Sequence, residues 1–133
     1  MKIKGTENCF GEKLSRILIK PDTEFFTQDA WIMADEIVFV FEKSKLQIHP
    51  LQESDEIKVS LSEYADGEEL DGFAELKALE KYIGQELLMT WSATNSNNCF
   101  DSLMVAFNYT HPNLIILSEG SVLKVFDISQ MKH

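Results

Sequence analysis

The sequence predicts a single α+β domain, in which an antiparallel meander of about six to eight strands is joined by one or two short helices. The chain has 133 residues, 44% hydrophobic and 26% charged, as one ordinary globular domain requires. Apolar and polar residues alternate along most of its length, which is typical of half-buried strands. No proline-rich or glycine/serine-rich linker interrupts the sequence, so we expect residues 1–133 to form one domain.

The first half of the chain contains three predicted strands. Residues Ile37 to Phe41 are apolar at every position, so this strand is expected to be central and covered on both faces. After the polar break 42–44, Lys45 to His49 alternates and should form a hairpin with it. Residues Glu56 to Ser62 also alternate, which predicts a strand with one buried face.

The second half contains four further predicted strands, which begin near Leu87, Leu103, Leu114 and Val122. Short polar segments separate them, and Gly120 can supply the positive φ that a tight turn needs. Four successive strands with short turns predict a meander.

One segment has helical spacing, and its apolar residues are expected to stack on one helix face: Phe73, Leu76, Leu79 and Ile83. Gly84 stands where a glycine would end that helix. Asp71 and Glu75 would lie near its start, where the helix dipole favours negative charge. Residues 9–14 and 82–87 share an apolar pair, a glycine and a strand-like run, which indicates two uses of one helix-to-strand device.

The charge is strongly acidic and uneven. Twelve bases and 22 acids give a net charge of −10, which argues against a nucleic-acid partner. From Glu53 to Glu75, nine acids against one base leave a net charge of −8. This segment is either a solvated loop or a surface that steers a basic partner. The second interpretation assigns partner binding to its acids: Glu63, Asp66, Glu68, Glu69, Asp71 and Glu75.

The residues that carry most enzyme chemistry are sparse. His49 and His111 each precede a proline, which is typical of strand ends and turns, and His133 is the last residue. No zinc pair, phosphate-binding loop or calcium-loop spacing occurs, so we expect no catalytic residues, no metal and no cofactor. Cys9 and Cys99 are far apart, and no signal peptide or membrane span is recognisable, which predicts a cytoplasmic protein with reduced thiols and no membrane contact.

A polar loop, residues 94–98, is flanked by Trp91 on one predicted strand and by Phe100 and Asp101 on the next. It is either a plain hairpin loop rich in turn-forming Asn or a recognition loop, since Trp and adaptable amides are common contact residues.

A resemblance joins these observations. Residues 35–39, 55–57, 83–84, Trp91 and 97–103 resemble, in this order, the pattern of small acidic bacterial immunity-type proteins, which bind and silence a toxin domain. The resemblance covers Trp31 to Asp127 and marks Asn97, Phe100 and Asp101 as partner-binding positions, beside Trp91. It implies a cytosolic immunity protein that is not an enzyme and that neutralises a basic protein toxin domain, with a nuclease as the expected kind. The alternative is a non-catalytic β-rich accessory or scaffold domain with an acidic surface.

Overall fold

The fold consists of two antiparallel sheets. The computed structural model describes residues 10–20, 27–28, 31–51, 56–65, 70–94, 100–107, 112–119 and 122–128. Within them, the first sheet has five strands, in the spatial order β6 (Ile57–Glu63), β5 (Ser44–Pro50), β4 (Glu36–Phe41), β1 (Leu14–Lys20) and β7 (Ala74–Glu75). The second sheet has six, in the order β2 (Thr27–Gln28), β3 (Trp31–Ala34), β11 (Val122–Asp127), β10 (Leu114–Glu119), β9 (Phe100–Phe107) and β8 (Leu87–Thr94).

The two sheets pack face to face around one main core. Alternate residues of the longer strands point inward and join a single apolar cluster that draws on both sheets. Phe39 of β4 and Phe107 of β9 meet across the interface, with ring centroids 6.1 Å apart. Each sheet therefore has an inner face in this core and an outer face on the opposite side.

In the first sheet, β4, β5 and β6 confirm the predicted strands. β4 is the central strand, pairs with β5 in the expected hairpin and is buried at every position from Ile37 to Phe41. Its outer residues Val38 and Val40 form a second apolar cluster with Leu18 of β1. Three side chains from the segment that follows β6 pack against this cluster: Tyr64, Leu70 and Phe73. This cover explains why β4 needs apolar residues on both faces.

The second sheet contains the predicted meander, because β8, β9, β10 and β11 are neighbours in that order. β3 extends it by pairing with β11, and after Asp35 the chain enters β4 of the first sheet. The backbone N–H of Asp35 donates to the carbonyl of Lys20, 2.8 Å away. Gly120 lies outside the described residues.

The helix prediction is wrong in extent and in orientation. Ala74 and Glu75 are extended and pair with β1, and only Lys77–Tyr82 is helical, as a 3-10 helix. Leu76 and Leu79 enter the main core, whereas Phe73 packs on the outer cluster and Ile83 is 42% exposed. The helix begins after Leu76 with no side-chain cap, so neither Asp71 nor Glu75 lies in its first turn.

The sequence similarity around Gly11 and Gly84 corresponds to a symmetric arrangement of the backbone. Gly11 and Gly84 both have φ of +90°, which is open to glycine and strained for other residues. The N–H of Gly11 donates to Leu87 O and the N–H of Gly84 to Leu14 O, each over 2.7 Å. The N–H of Leu14 and that of Leu87 donate to Gln85 O and Glu12 O. These four bonds form a bracket, residues 11–14 and 84–87, which leads into β1 of the first sheet and β8 of the second.

The described part of the chain is therefore mostly antiparallel β-structure, as predicted, and nearly all-β rather than α+β. None of the helical structure in these ranges is long and apolar enough to cross a membrane.

Candidate protein-binding surfaces

The described residues of the acidic segment, which runs from Glu53 to Glu75, lie in the first sheet or next to it. Glu63 is the exposed last residue of β6, and Glu75 is exposed in β7. Between them, Tyr64, Leu70 and Phe73 hold the chain against the outer face of this sheet. Three of the predicted binding residues, Asp66, Glu68 and Glu69, lie outside the described residues. The acids that are described therefore lie on or beside the outer side of the first sheet.

Asp71 owes its exposure to a turn. The N–H of Phe73 donates to Leu70 O over 3.3 Å, and Gly72 has φ of +83°. A positive φ at the third residue of a four-residue turn is typical of type II, which places Asp71 at the exposed corner. Its carboxylate faces solvent instead of capping a helix.

The only arginine of the chain, Arg16 of β1, binds two residues of the acidic segment. The Arg16 guanidinium donates from Nε to Glu75 Oε1 over 2.9 Å, and from Nη1 to Tyr64 Oη over 3.2 Å. The hydrogen bonds to Tyr64 and Glu75 raise the pKa of Arg16 above its ordinary value. These two hydrogen bonds fasten Tyr64 and Glu75, on either side of residues 65–74, to β1. Since both charged groups are largely exposed, the ion pair stabilises the fold by at most about 1 kcal/mol.

A shallow groove of about 590 Å³ lies between the start of β1 and the turn that joins β4 to β5. Lys13 and Lys43 line it together with Glu42 and Tyr64. The N–H of Tyr64 donates to Lys43 O over 2.9 Å, which ties two walls of the groove together. Charges of both signs line the groove, so it has no clear preference for an anion or a cation.

The outer face of the second sheet is apolar over several strands. Residues directly opposite each other in an antiparallel ladder share a face. Trp91 of β8 is paired with Met104 of β9, Met104 with Ile115 of β10, and Ile115 with Phe126 of β11. These four residues form one row across the sheet, opposite the core. All four are half-buried.

The neighbouring positions continue this apolar surface. In the next row, Leu117 lies opposite Lys124, which lies opposite Met33 of β3. On the other side of the first row, Met89 lies opposite Ala106. We call this surface the methionine face, defined by its larger apolar residues: Met33, Met89, Trp91, Met104, Ile115, Leu117 and Phe126. Its cation Lys124 has its Nζ 3.4 Å from Glu119 Oε1.

The loop residues of the predicted site are placed only in part. Asp101 is half-buried and is the extra residue of a β-bulge, because Ala93 and Thr94 are opposite Ser102 and Phe100. Such bulges redirect a side chain and are frequent beside binding sites. The backbone of Phe100 begins β9, and Asn97 lies outside the described residues.

The two predicted surfaces are therefore not adjacent. Trp91 lies on the outer face of the second sheet, whereas Asp71 and Glu75 belong to the segment that covers the outer side of the first. The whole core separates the two sides. The other residues of the methionine face were missed, although Leu114 to Leu117 is apolar at four successive positions, which indicates a strand with two apolar faces.

A polar cluster lies at the end of the core. The buried Tyr82 hydroxyl donates to Asp127 Oδ1 over 2.7 Å, and Lys81 Nζ is 2.6 Å from Asp127 Oδ2. The Tyr82 ring stacks on Phe107 with centroids 5.2 Å apart. This cluster joins the 3-10 helix to β11, which is a structural role.

No group of three His, Cys, Asp or Glu side chains in the described ranges is arranged to hold a metal ion. His49, in β5, has its Nδ1 3.7 Å from Glu36 Oε1. His111, His133, Cys9 and Cys99 lie outside the described residues.

Comparison with known proteins identifies a family but no characterised relative. No curated protein and no solved structure matches the chain. One family matches residues 1–132, and its description is a family of unknown function, DUF6334. Because the match covers nearly the whole sequence, the chain belongs to the DUF6334 family.

Proposed function

We propose that this protein acts by binding another protein, and that it is a cytosolic immunity-type protein that neutralises a basic toxin domain, such as a nuclease. The methionine face carries the proposal. Trp91, Met104, Ile115 and Phe126 form an apolar row across four strands. In the part of the chain that the structure describes, these four side chains are half-buried and lie outside the main core.

The composition of the methionine face suits a protein partner. Contiguous apolar patches on a soluble domain commonly mark interaction sites, and Trp is enriched among the residues that dominate binding energy. Methionine is flexible and polarisable, so it adapts to partner surfaces of different shape. In this proposal the methionine face provides the buried contact and Trp91 provides its main anchor.

The charge indicates the kind of partner. A net charge of −10 attracts a basic protein, and the exposed acids Glu63 and Asp71 strengthen that field on the side of the first sheet. Since those acids lie away from the methionine face, they would act at long range and on the association rate. The contact residues would instead control dissociation.

The test measures binding to the basic product of a toxin-like reading frame adjacent to this gene. We expect complex formation and loss of toxin activity. Trp91→Ala should weaken binding about thirtyfold, as expected for an anchor worth about 2 kcal/mol, mainly through faster dissociation. Leu51→Ala is the matched control, because Leu51 is 39% exposed and lies on the first-sheet side, next to β5, so its removal should leave Kd unchanged.

A second pair of variants tests the charge. Glu63→Gln with Asp71→Asn should slow association at low salt, whereas Glu42→Gln with Glu80→Gln removes the same charge at other exposed positions and should slow it less. If none of these variants changes either rate, the proposed surfaces are wrong.

One observation favours the alternative, a non-catalytic accessory or scaffold domain. Part of the acidic segment has a structural use, because Glu75 binds Arg16 and Leu70 and Phe73 cover the first sheet. If the protein binds no neighbouring gene product, this alternative is favoured.

A further inference from the structure

The methionines of the described residues are all on one surface. Met33, Met89 and Met104 each lie on the methionine face, and all three are half-buried rather than enclosed. The main core within the described ranges contains no methionine and consists of Leu, Ile, Val, Phe, Ala and Tyr side chains. Thioether sulfur is thus present on this surface and absent from the described interior.

We propose that the methionine face is an oxidation site, at which hydrogen peroxide converts Met33, Met89 and Met104 to methionine sulfoxide. In each step the thioether sulfur attacks one peroxide oxygen and the O–O bond breaks. The sulfur gains that oxygen and is oxidised by two electrons, while the proton of the transferred hydroxyl passes to the other oxygen, which leaves as water. The step needs no other reactant.

The arrangement makes the consequence selective. A sulfoxide is polar, so three of them within a patch of seven larger apolar residues remove much of its apolar character. The core would remain intact, because no sulfur in the described part of it is oxidised. Oxidation would therefore change the surface and leave the fold unaltered.

Trp91 can report oxidation of the methionine face. The chain has two tryptophans, and both occupy strands of the second sheet. Trp91 lies directly opposite Met104, so a sulfoxide at Met104 adds a dipole beside the indole. The backbone of Trp31 is opposite Phe126 in the same row. We therefore expect a shift in tryptophan emission on oxidation.

The experiment treats the folded protein with hydrogen peroxide and maps the oxidised peptides by mass spectrometry. We expect one added oxygen at each of Met33, Met89 and Met104, a loss of binding to the apolar dye ANS and an unchanged thermal midpoint. The control replaces all three methionines with Leu, which keeps the patch apolar and leaves Met1 and Met131 to show that the oxidant acted. This control should keep its dye binding after treatment. If the triple variant does not fold, a single Met104→Leu variant should lose less dye binding on oxidation than the unaltered protein, because one of its three sulfoxides cannot form.

Three results would overturn the inference: oxidation confined to Met1 and Met131, oxidation that unfolds the protein, or dye binding that does not change. None of these readouts requires a partner. The effect of oxidation on toxin binding, about tenfold for each methionine buried in the contact, rests on the proposed function. A protein that is oxidised as expected but binds no toxin would refute the function and leave the oxidation site standing.

Discussion

Asp127 has two partners, and the burial of its carboxylate predicts the outcome of two substitutions. The Tyr82 hydroxyl, on a residue that is 3% exposed, donates to Oδ1 over 2.7 Å. The Lys81 side chain is 40% exposed and its Nζ lies 2.6 Å from Oδ2. The carboxylate itself is only 13% exposed and its Oδ2 is buried, so water replaces a lost partner poorly on either side.

We expect Tyr82→Phe to lower the free energy of unfolding by about 1.5–3 kcal/mol, the range for a hydrogen bond to a charged group. The ring is kept, so its stacking on Phe107 at 5.2 Å continues and no cavity forms. Lys81→Met should cost about 1–3 kcal/mol, the range for a buried acceptor left without its partner, because Oδ2 is buried and water does not replace the lysine there. The exposure of the lysine side chain therefore does not make this contact a weak one.

Urea unfolding, followed by circular dichroism, measures both values, and an unchanged m value would show that the denatured state is not altered. Tyr82→Ala sets the upper limit, since loss of a buried aromatic ring costs about 3–5 kcal/mol. If Lys81→Met costs less than about 0.5 kcal/mol, as an exposed surface pair would, the burial of Oδ2 does not control this contact and the reasoning fails.

Three further predictions concern the core, a glycine with positive φ and the two thiols. Phe39→Ala should cost about 3–5 kcal/mol in urea unfolding, because its ring fills the core between the sheets, whereas Lys58→Ala at an exposed position should cost less than about 0.5 kcal/mol. Gly84→Ala should cost about 1–2 kcal/mol from backbone strain alone, because φ is +90° and no heavy atom lies within 4 Å of an added Cβ; a neutral result in the same assay would contradict the positive φ. Cys9 and Cys99 should be free thiols in the native protein, and mass spectrometry without reductant would disprove this by detecting a bond between them.

The strands were predictable because each carries its own pattern. In β6, Ile57 is buried and Lys58 is exposed, as the alternation predicts. In β4, an unbroken apolar run indicated cover on both faces, and the structure provides that cover through Tyr64, Leu70 and Phe73. Hairpins and meanders join neighbours in sequence, so local patterns are enough to place them.

The helix was not predictable from the helical spacing of its apolar residues, because those residues pack on different faces of the first sheet. Phe73 packs outside the first sheet, and Leu76 packs inside it. The more informative signal was the three-residue spacing of the buried Leu76, Leu79 and Tyr82, which matches the three residues per turn of a 3-10 helix.

The methionine face could not be assembled from sequence for another reason. Met33 and Trp91 are distant in the chain, and only the order of strands across the second sheet shows that both belong to one surface. The sequence also could not show that Asp71 and Trp91 lie on opposite sides of the molecule.

The bracket between residues 11–14 and 84–87 has a consequence for how the protein opens. Its four amide protons, on Gly11, Leu14, Gly84 and Leu87, each reach across to the opposite segment. None of them can be released while the two segments stay together, so all four should exchange with deuterium at one common rate. Because the partners are far apart in sequence, the bracket closes a long loop and is expected to form late in folding. The common exchange rate of these four protons would then measure how often the two sheets separate at this corner.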